Sequence, residues 1–388
     1  MITAMTPIET NPLLHLKELG QSIWLDYIHR KAIRGGMITR FIEEDGLAGI
    51  TSNPVIFEQA ISRSDDYDSA IAELQGRVGS VEELYDLLVL EDIGNAADLF
   101  RASFEGSEGR DGYVSHEVSP HLAHDFESTV KEAFRLWSRL ARPNIMIKVP
   151  GTLDGLTAIT ELIAGGVNVN VTLLFSVDRY ERVAEAYMEG LDKRLQAGLP
   201  IDEIVSVASF FLSRIDQKVD PLLDQIGDRE AGRLRGRAAE ACAKAAYQSY
   251  KRLLASEQWQ MLVASGAKPQ RLLWASMGTK DPQYSDVKYV DSLVGPDTIS
   301  TLPLKTFEAY RDHGDPADRL DTDLDAAFSV AQKLSALGID LGDISAALEA
   351  EGVDKFVKPF DSLHRALARR TGLGSTERVS GRSSSSFR

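Results

Sequence analysis

The sequence predicts an α/β fold, a (β/α)8 TIM barrel with additional helices, and three observations point to it. Eight short apolar or β-branched runs alternate with amphipathic helical patterns, the order that builds a parallel sheet. The runs themselves alternate polar and apolar residues, whereas strands of an open sheet covered on both faces are apolar throughout. No G-x-G-x-x-G follows an early run and there is no P-loop, so the marks of a Rossmann-like open sheet, the competing architecture, are missing.

In chain order, a helix near "NPLLHLKELG" precedes the first strand, "SIWLDYI" at 22–28. The second strand is "GLAGITSN" at 46–53. The helix "SVEELYDLLVLEDIGNAADLF" follows it, with Ser80 and Glu83 spaced as a capping box. "YVSHEVS" at 113–119 and "NIMIKVP" at 144–150 are the third and fourth strands, and "VNVNVTLLF" at 167–175 the fifth. The helix "SVDRYERVAEAYMEGLDKRL" leads to the sixth strand, "IVSVASFF" at 204–211. A charged insertion at 216–240 is expected next, then the strands "RLLWASM" at 271–277 and "TISTLPL" at 298–304. Helices continue through "LDAAFSVAQKLSALG" and "GVDKFVKPFDSLHRALARR". The barrel domain is thus expected over 1–372, with a disordered Ser/Arg-rich tail at 373–388.

With 388 residues, 43% of them hydrophobic, the chain can bury a large core. Its net charge of −15 argues against a nucleic-acid partner, which needs a basic face. No apolar stretch reaches the roughly 20 residues of a membrane helix, and the N-terminus lacks the basic-then-apolar order of a signal peptide. A cytoplasmic protein with no membrane partner is expected. The single cysteine, Cys242, sits in an Ala-rich helical pattern and reads as a packing residue.

Alternation along the strands sorts the chemistry. In "NIMIKV", Ile145, Ile147 and Val149 share one face, leaving Met146 and Lys148 on the other; in "VNVNVT", the valines oppose Asn168, Asn170 and Thr172. A barrel wrapped in helices turns the polar set inward, bringing Asp26, Thr51, Asn53, Glu117, Lys148, Asn170, Thr172, Ser209 and Ser276 into one neighbourhood. An amine held among apolar groups can attack a ketone and form a Schiff base, while nearby carboxylates move protons. The plainer readings are a snorkelling lysine, a capping Asp26 and a Glu117 that only neutralises Lys148.

Two further sets remain. His116, His121, His124, Glu117 and Asp125 have the composition of a metal site, as in a zinc-dependent aldolase. However, His116 and Glu117 should face opposite sides of a strand, and the spacing of the other two histidines suits a helix start. Cap and surface histidines are expected, and no metal. Arg214 after the sixth strand, with Ser276, Gly278 and Lys280 after the seventh, offers an anion site where barrels commonly hold phosphate. The alternative is an ordinary turn with two solvated cations.

"GITSNP" (49–54), "IMIKVPGT" (145–152), "NVTLLFS" (170–176) and "WASMGTKDPQYSDVKYV" (274–290) closely resemble transaldolases of the longer bacterial subfamily, with the match running from about residue 12 to about 370. The resemblance implies a metal-free and cofactor-free Schiff-base enzyme of the non-oxidative pentose phosphate pathway, a homodimer or monomer acting on sugar phosphates. It makes Lys148 the imine-forming residue, Asp26 the acceptor of the C4 hydroxyl proton, and Glu117 with Thr172 the holders of the catalytic water. Asn53, Asn170 and Ser209, with Thr51 and Phe211 beside them, match substrate-binding positions; Arg214 and Ser276 match phosphate binders. Where many relatives carry a second arginine this chain has Gly278, and Lys280 is expected to supply that cation. The related fructose 6-phosphate aldolases place a tyrosine at the position of Phe211 and release free dihydroxyacetone. A third reading is a sugar-phosphate-binding barrel without catalysis.

Overall fold

Each of the eight runs forms a strand in the computed structural model, which describes residues 11–374. They are β1 (Ser22–Asp26), β2 (Gly49–Thr51), β3 (Tyr113–Glu117), β4 (Ile145–Pro150), β5 (Val169–Leu174), β6 (Ser206–Phe211), β7 (Arg271–Ala275) and β8 (Ile299–Leu302). All pair in parallel and in sequence order, and β1 closes on β8 with Ser22 opposite Ile299, giving a closed barrel. Most of the expected tail lies outside the described residues. No helix among the described residues is long and apolar enough to cross a membrane.

The two strand faces are buried for different reasons. Ile145, Ile147 and Val149 are fully covered by the surrounding helices. Side chains of the opposite parity fill the barrel, and its lower layer holds Trp24 and Tyr113, whose rings lie 6.3 Å apart. Gly49 makes that layer possible, because a Cβ there would stand 2.6 Å from the Trp24 ring. The polar residues cluster above this apolar floor, at the C-terminal ends of the strands.

Local chemistry sets the helix starts. Ser80 accepts from the Glu83 N–H at 3.2 Å, but the Glu83 carboxylate reaches back to the N–H of Gly79, one residue before the position a capping box uses. Asn53 caps the helix Pro54–Ser62, accepting from Val55 and Ile56 N–H, with a proline in the first helical position. The expected insertion at 216–240 is instead part of the barrel's own sixth crossover. Its first helix, Ser213–Ile226, starts two residues after β6 and places Arg214 in its first turn. Charge on its outer face disguised a helix whose inner face buries Ile215, Val219 and Leu223.

Two other expectations change. Asn168 does not join the polar mouth; at the opposite end of β5 it donates to Pro143 and Ile145 carbonyls and accepts from Val205 N–H, locking neighbouring strands. His116 is neither a cap nor a surface residue. It is buried outside the barrel wall against the edge of Phe57, and burial pushes its imidazole down to about 4, keeping it neutral. His121 pairs with Asp361 at 2.7 Å, and Asp125 caps the helix Phe126–Leu140. Cys242 packs on the helix Ala238–Leu254, where burial pushes its thiol up to about 12.

Candidate active site

Strand register assembles the centre of the site. Glu117 lies opposite Lys148 across β3 and β4, and Lys148 opposite Asn170 across β4 and β5, so three polar side chains enter the barrel at one level. Asp26 and Thr51 are paired likewise across β1 and β2. Lys148 Nζ donates to the Ser52 carbonyl at 3.3 Å and stands 3.8 Å from Glu117 Oε2, with both side chains almost wholly buried.

The two carboxylates are held differently. Asp26 Oδ1 accepts from Thr51 Oγ1 at 2.8 Å and, at 3.4 Å, from Asn53 Nδ2. Burial raises the Asp26 carboxyl above its ordinary range, opposed chiefly by Lys148 and then by the Thr51 hydroxyl. Glu117 has no hydrogen-bond partner at either buried oxygen. Desolvation, opposed by the nearby Lys148 ammonium, pushes it up to about 7. A carboxyl poised near neutrality can either give or accept a proton.

Neighbouring side chains complete a polar wall. Ser209 donates to Asn170 Oδ1 at 2.7 Å, and Asn170 Nδ2 donates to Ser115 Oγ at 3.0 Å, so the amide is fixed from both sides. Thr172 Oγ1 is buried without a partner. Past Thr172 the strand departs from strict alternation: Leu173 has φ 62° and the pairing of β5 with β6 shifts between Val171 and Leu174. Phe211 packs against Phe175, with ring centroids 5.4 Å apart.

On the far side, the Arg214 guanidinium lies 5.2 Å from the Phe211 ring centre and leaves Nη1 buried without a hydrogen-bond acceptor. Ser276, at φ 55°, shares a 2.9 Å hydrogen bond with Ser213 at the start of the same helix. Lys280 is exposed, and its Nζ lies 3.5 Å from the place a Cβ on Gly278 would take. The ammonium therefore occupies space next to that in which a side chain at 278 would begin. Two cations and two serines at the ends of β6 and β7 offer an anion site, although the protein as a whole is acidic.

Nearly all sequence-derived candidates meet here: Lys148, Asp26, Glu117, Thr172, Asn53, Thr51, Asn170, Ser209, Phe211, Arg214 and Ser276 line one mouth, with Lys280 at its rim. Sequence reasoning passed over Thr301, whose hydroxyl lies 2.7 Å from Thr51 Oγ1; its parity with Ile299 on β8 was the available signal. It also passed over Phe356, whose ring centre lies 5.9 Å from Lys148 Nζ. A cleft of about 480 Å³ opens elsewhere, lined by Arg101, Trp137, Arg194 and Lys268 among others. There Arg194 and Lys268 already donate to backbone carbonyls, so the unsatisfied chemistry lies at the mouth instead.

A buried lysine facing two carboxylates within a (β/α)8 barrel is an arrangement suited to Schiff-base chemistry. The family model for transaldolase/fructose-6-phosphate aldolase matches residues 23–367. The chain belongs to this family. It is 47% identical over 368 residues to the transaldolase of Trichodesmium erythraeum, covering 92% of this chain and 97% of that protein. With transaldolase 2 of Nostoc punctiforme it shares 47% over 372 residues, or 93% and 97% of the two chains. With the transaldolase of Saccharopolyspora erythraea it shares 48% over 350 residues, 90% and 94%.

Proposed function

We propose that the protein is a transaldolase that moves a dihydroxyacetone unit between sugar phosphates of the non-oxidative pentose phosphate pathway, with Lys148 as the imine-forming residue. The observation that carries this reading is the position of Lys148 Nζ, almost wholly buried, 3.8 Å from Glu117 and facing the same space as Asp26.

The Lys148 amine adds to C2 of sedoheptulose 7-phosphate or fructose 6-phosphate, giving a carbinolamine. Loss of its hydroxyl as water leaves the imine, and Glu117 with Thr172 handles that water and its proton. Asp26 then takes the proton of the C4 hydroxyl. As the C3–C4 bond breaks, its electrons move into the imine, leaving an enamine on Lys148 and an aldose phosphate free to depart. Addition of the enamine C3 to glyceraldehyde 3-phosphate or erythrose 4-phosphate, then hydrolysis, completes transfer. Asn53, Asn170 and Ser209 hold the sugar hydroxyls, while Arg214, Ser276 and Lys280 take the phosphate. Lys148 stores the three-carbon unit by itself, so each step has its proton acceptor among this chain's own side chains.

The family also contains enzymes that release dihydroxyacetone. Release needs a proton delivered to the enamine carbon, and Phe211 has no hydroxyl with which to supply one. Borohydride reduction with fructose 6-phosphate, followed by peptide mapping, tests the reading: a three-carbon adduct is expected on Lys148. Binding of fructose 6-phosphate with no adduct and no transfer would instead identify a non-catalytic sugar-phosphate-binding barrel.

A further inference from the structure

The helix Leu341–Thr371 crosses the mouth of the barrel. Near one end, Ser345 donates to the Phe175 carbonyl just past β5, and Glu349 pairs at 3.2 Å with Arg179, which also holds the Gly151 carbonyl at 2.6 Å. Near the other end, Asp361 pairs with His121, and Phe360 and His364 pack on Tyr85. Gly352 lets the middle of the helix come down onto the site. A Cβ there would lie 3.0 Å from Leu173 Cδ2 and 3.5 Å from Arg214 Nη1.

One turn further along, Phe356 is buried with its ring centre 5.9 Å from Lys148 Nζ and 5.8 Å from Arg214 Cζ. A single ring thus faces the nitrogen that would carry the substrate and the guanidinium that would hold its phosphate. Phe211 covers Arg214 from a second ring, at 5.2 Å. Two aromatic faces fix a guanidinium whose buried Nη1 has no acceptor in the protein, an arrangement that holds it oriented toward the mouth. Neither ring can give or take a proton.

The enamine is the intermediate for which this matters. If water protonates its C3 and the resulting hydroxide adds to C2, the carbon–nitrogen bond breaks. Lys148 then regains its amine and dihydroxyacetone leaves, with one water consumed. Transfer requires that water be kept away until an acceptor aldehyde arrives.

We propose that Phe356 is a positioning residue that orients Arg214 and shields the Lys148 nitrogen, so that the three-carbon unit is transferred and not released. The inference rests on the Schiff-base reading above. The test uses the full-length protein with Phe356→Leu and, as a second variant that keeps bulk without the ring, Phe356→Met. Leu367→Ala, a buried position three turns along the same helix, controls for looser packing of the helix as a whole. The readouts are free dihydroxyacetone per unit transferred from fructose 6-phosphate to erythrose 4-phosphate, and the KM for fructose 6-phosphate. Loss of the ring is expected to raise the release ratio and the KM each by about tenfold, the effect a desolvated cation–π contact can carry. Leu367→Ala should leave both near the parent values. An unchanged ratio in the folded Phe356 variant, or an equal rise in Leu367→Ala, overturns the proposal. Failure of the parent protein to form a borohydride adduct at Lys148 would instead sink the underlying reading, and is visible without any variant.

Discussion

Lys148 Nζ and Glu117 Oε2 stand 3.8 Å apart inside the barrel, too far for a hydrogen bond and close enough for strong attraction. Neither Glu117 oxygen has another partner. Burial outweighs the pull of Lys148 and pushes the carboxyl up to about 7. The gap leaves the acid poised, not locked in an ion pair, which suits the proton transfers proposed for it.

The same poise carries a stability cost. The folded-state value of Glu117 is above its unfolded value, so the folded protein binds the proton more tightly. That contribution is fully present below pH about 4.5 and is lost as pH rises through about 7. Glu117→Gln is therefore expected to stabilise the unliganded protein at pH 8 relative to the parent by about 3 kcal/mol, with little difference at pH 4.5. Denaturant melts of both proteins at the two pH values check it; an equal difference at both would contradict the assignment.

Asp26→Asn should separate imine formation from bond cleavage. The amide keeps an oxygen for the Thr51 hydroxyl, now at 2.8 Å from Asp26 Oδ1, but cannot accept the C4 proton. Transfer is expected to fall by about 10²–10⁴-fold. Borohydride should still trap the sugar on Lys148, as a six-carbon adduct whose C3–C4 bond is intact. Mass mapping distinguishes that from the three-carbon adduct of the parent.

The proposed anion site predicts a difference between its two cations. Lys280 is exposed at the rim and Arg214 is largely enclosed by Phe211 and Phe356. Lys280→Met should raise the KM for fructose 6-phosphate by about tenfold with kcat nearly kept, the sign of lost ground-state binding. Arg214→Met should cost about 100-fold or more in kcat/KM. Steady-state kinetics with unphosphorylated fructose supply the control, since Lys280→Met should not alter its much weaker turnover.

Strand alternation made most of this site legible. Because side chains on a strand point alternately in and out, "NIMIKV" separated Lys148 from Ile145, Ile147 and Val149, and the same parity placed Glu117, Asn170 and Ser209 beside it. The eight strands followed from the same pattern. Alternation does not give the level along the barrel: Asn168 shares the parity of Asn170 but lies at the other end of the strand, where it bonds to strand backbones. Alternation put His116 on the side opposite Glu117, as found, but did not tell a buried neutral imidazole, packed as an aromatic ring, from an exposed one. Phe356 was illegible for another reason: an amphipathic helix announces that it packs, but its pattern does not say onto what. Only the tertiary course of Leu341–Thr371, lowered at Gly352, brings that ring over Lys148 and Arg214.

A transaldolase of the proposed kind must carry the three-carbon unit covalently on Lys148. The direct measurement is intact-protein and peptide mass mapping after borohydride reduction in the presence of fructose 6-phosphate, for the parent and for Lys148→Met. A reduced dihydroxyacetone adduct confined to the peptide containing Lys148, absent from Lys148→Met together with transfer activity, is the predicted result. An adduct on another lysine, or transfer that survives in Lys148→Met, would contradict it.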